Sequence, residues 1–203
     1  MQPSLSELLD RARSMVAGGG RIVGIAGAPG AGKSTLAEQL VTAWGSTARL
    51  LPMDGFHLAD DELGRLGRDD RKGAPDTFDI DGYLSAVRRV RARTADVLVP
   101  RFDRSAEAAI AGSLRIDVHA ELVVTEGNYV LLDEPGWRDV RPLLDEVWLI
   151  VADDGERIEQ LVARHVAHGR TAGAAAAWVA SVDEPNAQRV ATGSTPADLI
   201  VRR

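Results

Sequence analysis

Arg21-Ile22-Val23-Gly24-Ile25-Ala26-Gly27-Ala28-Pro29-Gly30-Ala31-Gly32-Lys33-Ser34 is the stretch that decides the fold. Its first six residues are short and mostly apolar, the pattern of a strand buried on both faces of a parallel sheet. The next eight form a glycine-rich turn that ends in a lysine and a hydroxyl, with Thr35 following. Glycine opens backbone geometries closed to other residues, so successive N–H groups can converge on phosphate oxygens. On this pattern Gly27, Ala28, Pro29, Gly30, Ala31, Gly32, Lys33, Ser34 and Thr35 form a nucleotide-binding loop. Lys33 supplies charge at the β and γ phosphates, and the Ser34 hydroxyl is a ligand for Mg²⁺. ATP and Mg²⁺ are therefore the expected cofactors. Lys33 and Lys72 are the only lysines. Neither sits in the run Asn or Thr, Lys, any residue, Asp that reads guanine, so a regulatory GTPase is not expected.

Strands and helices alternate outward from this loop. Ser4 and Glu7 match a capping box, and Leu5, Leu8, Leu9, Ala12, Met15 and Val16 repeat at helical spacing. Ser34 to Trp44 reads as a helix and Ala48 to Met53 as a buried strand ending at Asp54. Residues 55 to 79 read as a long polar loop. Helical spacing resumes from Ile80 to Arg93. Val97 to Pro100 reads as a strand stopped by its proline, and Ser113 to Val118 as a short strand. Glu121 to Thr125 is a strand ending at Glu126. Gly136 to Leu144 reads as helical, Val147 to Ala152 as a strand, and Glu156 to His168 and Gly173 to Val182 as helices. Leu199 to Val201 is the last strand. This alternation predicts an α/β, three-layer P-loop NTPase fold, with a mostly parallel sheet covered by helices on both faces. A small lid is expected over about residues 156–172.

Ligands of open parallel sheets bind beyond the carboxyl ends of the strands. Asp54 and Glu126 both stand there. Asp54 fits a general base on an attacking hydroxyl, and Glu126 fits coordination of Mg²⁺ or of its water. On the lid, Arg164 and Arg170 can stabilise charge on a moving phosphoryl group; Arg157 is the weaker candidate. With Lys33 and Asp54, they make up the catalytic set. The runs on either side of the polar loop supply His57, Arg71, Lys72 and Asp79 as candidate acceptor-binding residues. The run after Pro100 adds Arg101 and Asp103.

The 203 residues fit one domain spanning 1–203, and 45% of them are hydrophobic, enough for a sizeable core. Cysteine is absent, which excludes disulfides, thiolate metal sites and cysteine nucleophiles. The N-terminus lacks the basic and apolar pattern of a signal peptide, and no apolar run approaches the roughly 18 residues of a membrane helix. A cytoplasmic location without a membrane partner is expected. The net charge of −6 argues against a nucleic-acid partner. The expected partner is a small-molecule acceptor, and a homodimer is compatible with the sequence.

Taken together, the loop at Gly27, Asp54-Gly55-Phe56, Arg71-Lys72-Gly73 with Pro75 and Asp79, Pro100 with Phe102-Asp103, and Thr125-Glu126-Gly127 resemble one family. It is the uridine kinase, phosphoribulokinase and pantothenate kinase family of P-loop kinases. The run Asp183-Glu184-Pro185-Asn186-Ala187 through Ala197-Asp198 is similar to that of its small bacterial members. The resemblance implies ATP, Mg²⁺, transfer to a hydroxyl of a small metabolite (a nucleoside, a sugar or a pantothenate-like compound) and a catalytic aspartate at Asp54. Two departures matter for the acceptor. Gly73 stands near where uridine kinases carry a ribose-binding aspartate, and the run Arg101-Phe102-Asp103-Arg104 is unlike that of the pantothenate kinases. A nucleotide-binding regulator that hydrolyses ATP slowly is the alternative from another class.

Overall fold

The computed structural model describes residues 3–203. Five parallel strands form the central sheet: β1 (Ile22–Gly27), β2 (Ala48–Pro52), β5 (Leu122–Gly127), β6 (Glu146–Val151) and β7 (Leu199–Arg202). Their spatial order is β2-β5-β1-β6-β7. Because β1 is central and β5 lies between it and β2, the chain leaves the sheet three times along one short stretch of its carboxyl edge. The glycine loop follows β1, Asp54 follows β2, and Glu126 sits near the end of β5, in register with Ile25 on one side and Pro52 on the other.

Helices cover both faces, as the alternation predicts. On one face α1 (Leu5–Ala17) and α2 (Lys33–Trp44) pack Leu8, Leu9, Leu36 and Leu40 against Val23, Ile25, Val124 and Trp148. The expected capping box is formed: the Ser4 hydroxyl accepts from the Glu7 N–H, and the Ser4 N–H donates to the Glu7 carboxylate. On the other face α4 (Ile80–Ala92) and α7 (Glu184–Gly193) close over an aromatic cluster. Phe56, Phe78, Tyr83, Tyr129 and Trp137 lie within it, with ring centroids 5.2–6.2 Å apart. Strong burial on both sides explains why the strands read as continuous apolar runs.

Several local expectations are corrected. The polar stretch 55–79 contains a helix, α3 (Asp60–Leu66), and two 3₁₀ turns, Asp69–Arg71 and Pro75–Thr77. Three acidic residues in the first turn of α3 and Gly67 in the left-handed conformation at its end are ordinary helix signals. Pro100 does not end its strand. β3 runs Val97–Asp103 and pairs antiparallel with β4 (Ala108–Ile116) in a separate hairpin, with a register shift between Val99 and Arg101. A bulge tolerates proline, which has no N–H to contribute. Residues 136–144 form two 3₁₀ turns, Trp137–Asp139 and Arg141–Leu143, rather than one helix. Near the C-terminus, α6 (Ala172–Trp178) passes through a π-helical turn, Val179–Asp183, into α7, which the sequence reading omits. Among the described residues, no helix is long and apolar enough to cross a membrane.

One buried hydroxyl chain locks the edge of the sheet. Thr125 Oγ1 donates to the Leu51 carbonyl at 2.7 Å, which leaves the Tyr83 hydroxyl to donate to Thr125 at 2.6 Å. The chain joins α4, β5 and β2 directly beneath Glu126 and Asp54. Tyr83→Phe removes one buried hydrogen bond and should cost about 0.5–1.5 kcal/mol. The expected result in a thermal melt is a Tm lowered by about 2–4 °C for each kcal/mol lost. An unchanged Tm would show that the chain contributes nothing to holding the edge.

Candidate active site

The glycine loop wraps its own lysine. Lys33 opens α2, is buried, and donates from Nζ to the Ala28 carbonyl at 2.8 Å. Gly30 has φ +80°, and a Cβ there would lie 2.8 Å from Arg157 Cγ and 2.9 Å from the Arg157 carbonyl. Only glycine fits at that point. The contact comes from α5 (Asp154–Ala167), whose Arg157 is 2% exposed. Its guanidinium donates to the Pro29 carbonyl at 3.2 Å and to Glu184 Oε1 at 2.6 Å. Arg157 therefore braces the loop against α7. This buried role is invisible in a sequence rich in surface arginines.

Glu126 is also buried. Burial pushes its carboxyl well above the usual range, and the nearby charge of Asp54 adds to the push; Lys33, the Ser34 hydroxyl and Arg104 act the other way. Burial pushes Lys33 down in turn, opposed by Glu126 and then Asp54. A lysine and a glutamate thus stand buried together next to Ser34. Among the described residues no group of three acidic or histidine side chains converges as a metal cage. Ser34 and Glu126 offer oxygen donors of the type Mg²⁺ takes, and Mg²⁺ completes its shell with phosphates and water rather than with an all-protein cage. The residues fit that ion.

A cavity of about 690 Å³ opens over this cluster. The glycine loop, Lys33, Ser34, Asp54 and Glu126 form its floor. Asp54 lies in a 3₁₀ turn, Met53–Phe56. A Cβ on the adjoining Gly55 would stand inside contact distance of the Pro100 carbonyl, so a side chain there would push the hairpin off the floor. His57 also lines the cavity. Its Nδ1–H donates to the Asp54 carbonyl at 2.8 Å, and its ring packs against Phe78 and Phe102 at 4.1 and 4.8 Å. Burial holds the imidazole below its usual pKa. A neutral ring that donates through Nδ1 has a free acceptor at Nε2.

The segment 156–172 comprises most of α5 and the turn into α6, and it forms one wall. Arg164, His165, His168 and Arg170 face the cavity. Arg170 stacks on Trp178 at 4.1 Å, and His165 Nε2 pairs with Asp183 at 3.0 Å. The Arg164 guanidinium makes no hydrogen bond or ion pair among the described residues. Burial and the neighbouring Arg104 both push its pKa down.

The candidate acceptor residues divide. His57 and Lys72 line the cavity; Arg71, Asp79, Arg101 and Asp103 do not. Arg71 is tied to Asp76 and Asp70. Asp79 caps α4 by accepting from the Gly82 N–H at 2.8 Å. Arg101 points to solvent, and Asp103 accepts from Ser105 and Ala106 within its own turn. Strand alternation is the reason within β3: successive side chains face opposite ways, so Phe102 reaches the cavity while Arg101 and Asp103 turn away, and Arg104, in the turn that follows the strand, reaches it as well. Asn128 and Asn186 also line it and were absent from the sequence reading.

A phosphate loop after the central strand and two carboxylates at the ends of neighbouring strands define a P-loop nucleotide-binding protein of the kinase type. Known proteins agree. No family model matches the chain. It is 34% identical to the Escherichia coli protein "Uncharacterized protein YggC" over 189 residues, which cover 89% of this chain and 76% of that one. It is 31% identical over 177 residues to a Schizosaccharomyces pombe protein named "Putative uridine kinase C227.14", covering 82% and 75%. A solved structure from Silicibacter, described as a "putative fructose transport system kinase", is 35% identical, with a TM-score of 0.85 over 98% of both chains. The chain belongs to the uridine kinase, phosphoribulokinase and pantothenate kinase family of P-loop kinases.

Two substitutions test the floor. Lys33→Ala removes the buried cation and should abolish calorimetrically detectable binding of Mg·ATP while the far-UV circular dichroism stays native. Native-like affinity in that variant would remove the loop from nucleotide binding. Glu126→Gln keeps the shape and loses the charge, and should shift the Mg²⁺ dependence of nucleotide turnover to higher Mg²⁺. An unchanged titration would place Glu126 outside the metal shell.

Proposed function

We propose that the protein is an ATP-dependent kinase that transfers the γ-phosphoryl group to a hydroxyl of a small metabolite. The observation that supports this reading best is the position of Asp54. It shares the cavity floor with the phosphate loop, and the space above it has the size of a small-molecule site. A nucleotide switch without an acceptor has no need of a carboxylate and a metabolite-sized chamber on the far side of the γ-phosphate.

In this reading Gly27 to Thr35 hold the triphosphate through backbone N–H groups, and Lys33 neutralises the β and γ oxygens. When bound, Mg²⁺ would be held by Ser34 and Glu126, directly or through its water, and would supply further positive charge to the phosphates. The acceptor hydroxyl lies between Asp54 and the γ-phosphorus. Asp54 accepts its proton as the new O–P bond forms and the bond to ADP breaks. His57 Nε2 accepts a hydrogen bond from a second hydroxyl of the acceptor and so orients it. Arg164, with no partner among the described residues, meets the charge on the transferring group. Arg170 stands further out on the same wall, held by Trp178.

Asp54→Asn is nearly isosteric and removes the proton acceptor. It should bind Mg·ATP with near wild-type affinity and lose acceptor phosphorylation by roughly 10²–10⁴-fold. Calorimetry reads the first quantity and a coupled ADP assay the second. Phosphorylation at the wild-type rate would show that Asp54 is not the base.

A further inference from the structure

α7 and the turn before it carry two polar side chains where packing calls for apolar ones. Val182, Ala187 and Val190 are buried on the face turned to the body of the protein. Asp183 and Asn186 lie on that same face, three residues apart. Asn186 is 6% exposed and lines the cavity. Its amide makes no hydrogen bond among the described residues. Nor is it sealed in: the fully enclosed side-chain atoms without partners are Arg21 Nε and Asp117 Oδ2, and neither residue lines the cavity. The little of Asn186 that is exposed therefore opens onto the cavity. Asp183 also lines it and is only half used. Its Oδ2 pairs with His165 Nε2 at 3.0 Å, and its Oδ1 has no partner among the described residues. A buried polar group left unanswered weakens a fold, and here the unanswered atoms face the one space a ligand can enter.

The aim of this pair is fixed from several sides. The π-helical turn Val179–Asp183 resets the helical phase just before α7. Glu184, next in the chain, accepts from Arg157, which also holds the Pro29 carbonyl of the glycine loop. His165 holds Asp183 from α5. Asn186 thus reaches the cavity from a helix end that is tied to the nucleotide loop. The chemistry of the pair narrows what it can hold. A phosphate oxygen would meet the carboxylate of Asp183, so this face does not suit the nucleotide. An ammonium group would enter a cavity wall that carries Arg164 and Arg170. A hydroxyl suits both residues, because it can donate to Asp183 Oδ1 and accept from the Asn186 amide.

We propose that Asn186, together with Asp183 Oδ1, binds a hydroxyl of the acceptor other than the one that is phosphorylated. Asn186 is thereby a specificity-determining residue. The inference rests on the kinase reading and deepens it, because it gives the acceptor an anchor on α7, away from Asp54 and His57. An acceptor without that hydroxyl leaves the buried amide unpaired and is rejected for that reason.

The test compares wild type with Asn186→Leu, which keeps the volume and loses the amide, and Asn186→Ala, which empties the position. Either variant that keeps the native far-UV circular dichroism decides the outcome. Calorimetry with Mg²⁺ and a non-hydrolysable ATP analogue should give the variants wild-type affinity. Initial rates of transfer from Mg·ATP are then measured over a dilution series of a deproteinised metabolite extract, and mass spectrometry identifies the product. The variants should need roughly tenfold more extract for half-maximal rate, with the KM for ATP unchanged. The product should retain free hydroxyl groups. Wild-type dependence on the extract overturns the inference and leaves the kinase reading standing, because an amide that only fills space can be replaced by leucine without effect. Weakened analogue binding overturns it too, by moving Asn186 to the nucleotide, and so does a product with no hydroxyl left. A wild-type protein that binds the analogue and phosphorylates nothing in the extract overturns the kinase reading and this inference with it.

Discussion

The burial of Lys33 beside Glu126 is the interaction on which the site depends. A charged group taken out of water is costly unless something answers it. Here each is only partly answered: Lys33 reaches back to the Ala28 carbonyl, and Glu126 stands near Ser34. The remaining demand points into the cavity, toward the place where phosphate oxygens and a divalent cation would satisfy both. The strand order makes this possible. With β5 between β1 and β2, a lysine, a glutamate and an aspartate from three distant parts of the sequence meet at one edge.

Around that floor the structure is unequal in stiffness. The base is locked by the chain from Tyr83 through Thr125 to Leu51 and by Arg157, which ties the glycine loop to α7. The walls are held by fewer and more exposed contacts: a long pair between Arg104 and Asp54, a stacked Arg170, and a lysine clipping α3 to the hairpin. The floor is therefore fixed in advance, while the walls have room to adjust.

The sequence shows best what is local. The glycine loop, Asp54 and Glu126 are each announced by a strand and the residue that ends it, and the structure puts all three on one floor. The order of the strands is not local, and no single stretch of sequence encodes that β5 lies between β1 and β2. Phe102 and Arg104 are hidden because a strand stopped at Pro100 has no alternation beyond it, whereas β3 reaches Asp103, sends Phe102 to the cavity and Arg101 and Asp103 away from it, and delivers Arg104 in the turn that follows. Arg157 was hidden because a buried arginine and a solvated one look alike in a helix. α7 continues from α6 through a π-helical turn, which breaks the helical spacing, and opens with Pro185, which is tolerated in the first turn of a helix. Asp79 and Arg71 read as site residues because they are polar and close to the right motif. One caps a helix and the other is tied to neighbouring aspartates.

The central claim is that this floor moves a phosphoryl group to a second molecule. The most direct measurement incubates the protein with Mg·ATP and a deproteinised metabolite extract and follows ADP and new phosphate esters together by mass spectrometry. The account predicts ADP formation that rises sharply with the extract, matched mole for mole by a metabolite that has gained one phosphoryl group. ADP formed at the same slow rate with and without the extract, and no phosphorylated product, would contradict it and leave a nucleotide-hydrolysing regulator in its place.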